Sequence, residues 1–385
     1  MGQNSLFIVN ANTIESQTEM FSLYLLAFIT CKMRNCTYIN LIFGLLFLSS
    51  CASTVKITSV VEKNKEGDFL LKWEVSPDQE GQIEIYSAQS DSSISKFVPI
   101  KSSQINDQFA LFNPVGAGIQ EYFMLKAGNA TSGIIANRLI EMDNIKNFRD
   151  IGGYFNANNE QIRWGRIFRS GDLSNASRRD KERIHALGIK TVIDFRSKEN
   201  ARLHPYSLGK DITLISMPMS MGMDTVNQKI EQGKFSRSDA VKYIQDMYVG
   251  IVEDYKEEFA ELFDILIDRN NYPILLSGAL GKDRVGLATY FILYTMGVPD
   301  YVLEEDYMLS NNTIDITKVV ENAEGYPEYI QEALTAVLTV NPAYLNYTLD
   351  HIRQKYGSLD NYLQKELRIT SGKKSLLRKI LLYNP

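Results

Sequence analysis

The stretch LLSGALGKDRVG at 275–286 holds the residue types best suited to chemistry: Gly278 and Gly281 in a turn, then Lys282, Asp283 and Arg284, set between two apolar runs. A strand, a glycine-bearing turn and a helix start in that order aim successive main-chain N–H groups at one point, at the positive end of the helix dipole. A dianionic phosphate fits there, with Arg284 as a bidentate clamp and Lys282 as a point charge. The cradle so predicted runs over Ser277, Gly278, Ala279, Leu280, Gly281, Lys282 and Arg284. The alternative is a tight turn whose charges merely pair with neighbours.

Composition removes most other chemistries. The cysteines are Cys31, Cys36 and Cys51, so a chain of 385 residues has no thiol beyond its first 51. Thiol catalysis, cysteine metal ligands and disulfides are thereby excluded from the folded body. The histidines are His185, His204 and His351, and no two stand at a metal-ligand spacing, so no metal site and no cofactor are expected. A net charge of -5 without a long Lys/Arg run gives no surface for nucleic acid.

Further stretches surround the loop: NFRDIGGY at 147–154, RIFRSGDLS at 166–174, LGIKTVIDFRSKEN at 187–200, GVPDYVLEEDYMLSN at 297–311 and YGSLDNYLQKELRIT at 356–370. With GKDRVG they resemble, in this order, the bacterial tyrosine-phosphatase family, secreted enzymes of tyrosine, dual or lipid specificity with a His-Cys-x-x-Gly-Lys-Asp-Arg-Thr-Gly loop. The resemblance covers roughly residues 143–385. It implies a cysteine-phosphatase α/β fold, a mostly parallel sheet flanked by helices, with the loop at the C-terminal edge of the strands. It also implies that Arg284 and Lys282 bind phosphate and that Asp283 serves as general acid. Arg149, Asp150, Asp194 and Arg196 match supporting positions, although Asp194 and Arg196 suit a buried structural ion pair equally well.

The departures from that pattern fall on the reaction itself. The family's His corresponds to Ser277, its nucleophilic Cys to Gly278 and its Thr or Ser after the Arg to Val285. A thiolate attacks phosphorus and the hydroxyl stabilises it as it leaves, so both halves of one device are missing together. Ser277, without a neighbouring base, does not replace the thiolate. Three functions follow as expectations. The first is a domain that binds a phosphopeptide, phosphoinositide, phosphosugar or other anion without cysteine-dependent turnover. The second is a hydrolase using water activated by Asp283 or Asp150, on a phosphate ester or on a carboxylate or sulfate. The third is a partner-binding envelope module.

The elements that must hold this loop follow from periodicity. IKTVIDFRS at 189–197 and YPILLSG at 272–278 read as buried parallel strands, and VEDYKEEFAELFDILID at 252–268 as one amphipathic helix. Met217, Met219, Met221 and Met223 form a soft cluster, either gap-filling or a mobile lid. Before them, residues 51–142 show short alternating runs broken by turns, among them VKITSVVE, DFLLKWEV, QIEIYSA, QEYFMLKA and GIIANRLIEM. They predict a small all-β sandwich of the fibronectin type III or immunoglobulin-like kind with Trp73 in its core, a spacer rather than a catalyst.

Residues 1–50 read as a leader. MRNCTYINLIFGLLFLSSCAS at 33–53 has a basic start, an apolar core too short to span a bilayer and small residues before Cys51. LSSC resembles a bacterial lipobox, which implies lipidation at Cys51 and a lipid-anchored protein of the cell envelope, at the outer membrane. Met33 is then the expected start, with residues 1–32 a mis-assigned extension, and the alternative is a longer uncleaved anchor.

Overall fold

The computed structural model describes residues 54–64, 67–90, 97–113, 119–222, 224–320 and 322–383. The leader, the lipobox and Cys51 lie outside the described residues, as does Met223. From Val55 onward the described residues belong to one compact unit.

Two antiparallel sheets come first. Strands β1 (Lys56–Lys63), β2 (Phe69–Ser76) and β5 (Phe109–Phe112) form one in the order β1-β2-β5. Strands β3 (Gln82–Ala88), β4 (Val98–Gln104), β6 (Tyr122–Ala127) and β7 (Ala130–Thr131) form the other in the order β4-β3-β6-β7, with β8 (Ile135–Ala136) also on β6. Alternation explains the pairing: Phe69, Leu71, Trp73 and Val75 are buried on β2 while Lys72 and Glu74 face water. These residues share one apolar cluster with Ile83, Ile85, Phe123 and Leu125 of the second sheet. Trp73 Nε1 donates to Ile105 O at 2.9 Å, which satisfies its only polar atom. GIIANRLIEM, predicted as one strand, keeps pairing only at β8 and at an isolated bridge from Leu139 to Arg149. Its main chain instead serves contacts to later residues, Ile134 O accepting from Trp164 Nε1 and Gln161 Nε2.

The third sheet carries the loop. Strands β9 (Arg149–Asp150), β10 (Ile167–Ser170), β11 (Thr191–Asp194), β12 (Thr213–Ser216) and β13 (Ile274–Ser277) lie in the order β12-β11-β13-β10-β9. All neighbours are parallel except β9, which runs against β10. Successive residues of each central strand enter different clusters: Ile167, Ile193, Ile274 and Leu276 on one face, Phe168, Val192 and Leu275 on the other. Both faces are therefore buried, the condition under which a parallel sheet reads as a continuous apolar run.

Helix α1 (Arg178–Ala186), opened by a Ser177–Asp180 capping box, covers the second face through Ile184. After α2 (Lys198–Leu203) and α3 (Asp224–Glu231), helices α4 (Arg237–Asp254) and α5 (Lys256–Leu266) cover the first face. The single helix expected over 252–268 is thus two. Tyr255, at φ -116° and ψ 34°, ends one and starts the other, and its hydroxyl accepts from Ser220 N at 2.7 Å. Apolar spacing continues across the break, which is why periodicity alone merged them. Helix α6 (Arg284–Thr295) follows the loop and is buried on every side. It is succeeded by α7 (Asp300–Met308), α8 (Ser310–Thr313), α9 (Glu328–Leu338), α10 (Pro342–Tyr356), α11 (Leu359–Lys365) and α12 (Ser371–Leu381). Met217 and Met219 are core residues of the first face rather than a lid.

Among the described residues no helix is long and apolar enough to cross a membrane, and no group of three His, Cys, Asp or Glu is placed to hold a metal ion.

Candidate functional site

The loop from Gly278 to Asp283 joins the C-terminal end of β13 to the N-terminus of α6, and it is held from behind. Ala279 O accepts from Asp172 N at 3.1 Å, and Leu280 O accepts from Asn147 Nδ2 at 3.0 Å. Gly281 O accepts from Asn147 Nδ2 at 3.0 Å and from Arg169 Nη2 at 2.7 Å. In a planar trans peptide the N–H points opposite to the C=O. Tying these three carbonyls back therefore turns the N–H groups of Leu280, Gly281 and Lys282 to the other side. None of those three N–H groups is bonded among the described residues.

Gly281 permits this close seat. It sits at φ 67°, and a Cβ there would lie 2.3 Å from Ser170 O. Only glycine fits, on both steric counts. The segment from Arg169 to Asp172, at the end of β10, is thus the template against which the loop is moulded.

In front lies a cavity of about 820 Å³ lined by Ala279, Leu280, Lys282, Asp283 and Arg284, with Arg196 and Lys198 beside them and Leu203, Met221, Tyr255 and Leu338 forming apolar walls. A larger groove of about 1110 Å³ runs between β1 and residues 137–148, but of the predicted site it touches nothing, and it meets the loop only through Asn147. The smaller cavity is the one with chemistry in its wall.

Arg284 is buried, and its Nη1 donates to Phe195 O at 2.8 Å and Met219 O at 2.7 Å. Burial lowers its pKa while Asp283 and Asp194 oppose that shift. Both hydrogens of Nη1 are committed to the scaffold, so the grip expected of Arg284 falls to its other nitrogens. Lys282 and Asp283 pair with each other, Nζ to Oδ1 at 2.8 Å, and both are buried. This is the neighbour pairing that the sequence left open, and it cancels two of the three loop charges. Tyr248 also donates to Asp283 Oδ1 at 2.8 Å and meets the Tyr307 hydroxyl at 2.8 Å. Burial and the Asp283 carboxylate push the Tyr248 hydroxyl well above its usual range, so it stays a donor.

The predicted residues separate into two groups. Ala279, Leu280, Lys282, Asp283, Arg284 and Arg196 meet at the cavity. Ser277 does not: it is fully buried and donates to Gly171 O at 2.9 Å, which takes it out of any nucleophilic role. Asp150 is also away from the cavity. Its carboxylate accepts from Gly152 N at 2.8 Å, Gly165 N at 2.7 Å and Gln120 Nε2 at 3.1 Å, and burial raises its pKa to about 6. It joins β9 to the residues before β6 and activates no water in the cavity. Arg149 lies behind the loop on Asp306. Asp194 and Arg196 form the buried ion pair, at 2.9 Å, and Arg196 extends to Asp172 at 2.8 Å. Burial opposes the charge on Arg196, but hydrogen bonding to Asp194 leaves its pKa raised.

Gly278 and Val285 are in contact by design of their sizes. A Cβ built on Gly278 would lie 3.1 Å from Val285 Cγ2, so the valine methyl packs against the position where a nucleophile's side chain would begin. Positions 278 and 285 are therefore packing neighbours.

Sequence reasoning missed Asn147, Arg169, Tyr248 and Asp306. Asn147, Arg169 and Asp306 stood inside quoted motifs without an assigned role. The roles of Asn147 and Arg169 depend on contacts to Gly281 from 134 and 112 positions away, which no local pattern announces.

Residues 140–383 match the family model described as tyrosine phosphatase family. A Cupriavidus necator protein named provisionally as a tyrosine-protein phosphatase is 28% identical over 234 residues, covering 60% of this chain and 84% of that one. The triple specificity protein phosphatase PtpB of Mycobacterium tuberculosis is 27% identical over 276 residues, covering 63% of this chain and 98% of its own. Among solved structures, the catalytic core of the Saccharomyces cerevisiae PP-IP phosphatase Siw14 covers 51% of this chain and 89% of that one at 14% identity, with a TM-score of 0.24 that carries no argument. With the family model spanning well over half of its length, this chain belongs to the tyrosine phosphatase family.

Proposed function

We propose that the chain binds a phosphate monoester or a similar anion in the loop from Gly278 to Arg284 and does not turn it over through cysteine chemistry. One observation carries this reading: the carbonyls of Ala279, Leu280 and Gly281 are tied back while Gly278 and Val285 close the nucleophile's place. Amides, the helix N-terminus and Arg284 supply what an anion needs. Nothing at 278 supplies a bond to phosphorus.

The test compares the full chain with a Gly278→Cys, Val285→Thr double variant on a panel of phosphomonoesters, with calorimetric titration of phosphate into both. Binding by both and turnover by the double variant alone is the expected result. A parent chain without affinity for phosphate, phosphosugars, phosphoinositides or phosphotyrosine sinks the reading.

A second reading, hydrolysis by water that Asp283 activates, is favoured by the position of Asp283 in the cavity wall with Tyr248 donating to it. Turnover by the parent that disappears in Asp283→Asn would establish it.

The same reading extends to location. A lipid on Cys51 would hold the chain at the cell envelope, with the two antiparallel sheets as a fibronectin- or immunoglobulin-like spacer. The support is the LSSC sequence and the shared core of those sheets. Labelled fatty acid incorporated by the parent and absent from Cys51→Ser is the expected outcome.

A further inference from the structure

Behind the loop lies a cluster of charges that the cavity does not touch. Asp306 is buried and accepts from Arg169 Nη1 at 2.7 Å, from Arg149 Nε at 3.3 Å and from Tyr154 OH at 3.1 Å. Arg149 Nη2 donates to Asp306 O at 2.8 Å, and Arg169 Nη2 goes on to Gly281 O at 2.7 Å. Both guanidiniums are fully buried, and Arg169 Nε has no hydrogen-bond partner.

The charges do not cancel. Two arginines face one aspartate, while Arg138, stacked 3.8 Å over Tyr154, is offset by the nearby Asp150 only above about pH 6, where that carboxyl is ionised. Burial and the neighbouring Arg149 pull the Arg169 pKa down to about 10, so it is still charged at neutral pH. In front of the loop Lys282 and Asp283 neutralise each other, and Arg196 is outnumbered by Asp194 and Asp172. A surplus buried cation costs stability, because its desolvation is not fully offset by pairing. Here it meets, through one hydrogen bond, the carbonyl of the Gly281–Lys282 peptide, which turns the N–H of that peptide to the opposite side.

We propose that Arg169, fixed by Asp306, is a positioning residue of the anion cradle: it orients the Gly281–Lys282 peptide, and the surplus charge of its cluster makes the cradle prefer doubly charged anions over singly charged ones. This rests on the anion-binding reading above. It adds a residue that touches no ligand and a selectivity that Arg284 alone does not account for.

The experiment titrates inorganic phosphate and sulfate into the full chain, Arg169→Gln and Arg169→Lys, at about pH 5 and about pH 8, between which phosphate gains its second charge. A thermal midpoint is taken for each. In the parent, phosphate tightens roughly tenfold with its second charge while sulfate, doubly charged throughout, changes little. Arg169→Gln weakens both anions by roughly tenfold and flattens the phosphate dependence, a readout that loss of structure alone does not move. Arg169→Lys retains the charge but loses one of the two bonds, so it keeps the dependence at an affinity between the other two.

A folded Arg169→Gln with the parent's affinity and pH dependence overturns the proposal. If that variant does not fold, an Arg169→Lys chain that matches the parent in affinity overturns it equally. A parent that binds neither anion removes the anion-binding reading and this proposal together, whereas a parent that binds with unaffected variants removes only this one.

Discussion

The back and the front of the loop obey different rules. Behind it the loop is held by hydrogen bonds: Asn147, Arg169 and Asp172 hold three consecutive carbonyls, and Gly281 touches the main chain of Ser170. In front, the loop faces a cavity of about 820 Å³ through Ala279, Leu280, Lys282, Asp283 and Arg284. The back of the loop is closely packed, while Gly278 at its start carries no side chain. The charges of Arg149, Arg169 and Asp306 are costly to bury, and they hold the shape of the loop from behind.

If the back holds the fold as well as the loop, removing its central anion should cost stability most. Asp306→Asn leaves two guanidiniums buried without their anion, and we expect a loss of about 3–5 kcal/mol. Urea unfolding followed by far-ultraviolet circular dichroism measures it. A loss under about 1 kcal/mol would mean that the cluster relaxes or admits water.

Gly281→Ala comes next. The added Cβ meets Ser170 O at 2.3 Å from a backbone at φ 67°, so the loop must shift or strain, and about 2–3 kcal/mol is expected. In this variant phosphate affinity should fall along with stability, because the loop itself moves. Unchanged affinity would separate the shape of the loop from its function.

Asp150 tests the back of the sheet by pH. Burial lifts its pKa from the ordinary 3.8 to about 6, despite three N–H donors. The folded chain then holds this proton more tightly than the unfolded chain, so its contribution to stability falls as pH rises between about 4 and about 6 and is flat above. The acids held low, Asp306 and Glu253, act with the opposite sign and at lower pH. We expect the parent to lose about 2 kcal/mol across that window relative to Asp150→Asn, whose pH profile should be flatter there. A parallel pair of profiles would show that Asp150 titrates normally.

How much of this was legible in the chain divides along the same line. The front was readable because its residues are neighbours: strand, glycines, three charges and helix start fall within 275–286, and the absence of cysteine beyond position 51 is visible by counting. Asp194 and Arg196 were readable as an ion pair because they lie two positions apart on one strand end. The back was not readable. Asp306 stands in an acidic run, LEEDY, where a solvated face is the ordinary reading, and its partners Arg149 and Arg169 are 157 and 137 positions away. Ser277 was assigned to the front by its place in the loop and Asp150 by the family resemblance of NFRD, yet each had its hydrogen bonds taken elsewhere, by Gly171 O and by Gly152, Gly165 and Gln120. The break at Tyr255 was invisible because it changes the main-chain path without interrupting the apolar spacing.

The smallest effect tests whether the front was reshaped as a unit. Gly278→Cys alone places a Cβ 3.1 Å from Val285 Cγ2, tight enough that the valine must give way, whereas its φ lies where any residue is allowed. Shortening the valine should relieve that contact, so in a cycle of Gly278→Cys, Val285→Ala and the double variant the double should be more stable than the sum of the singles by about 1 kcal/mol. Coupling of that sign means that the two positions were exchanged against each other and that the cradle has room for a nucleophile only when position 285 shrinks. Strict additivity would mean the valine methyl moves aside freely. The loss of the hydroxyl at 285 would then be independent of the loss of the thiol at 278, and the front would be two separate losses rather than one repacked surface.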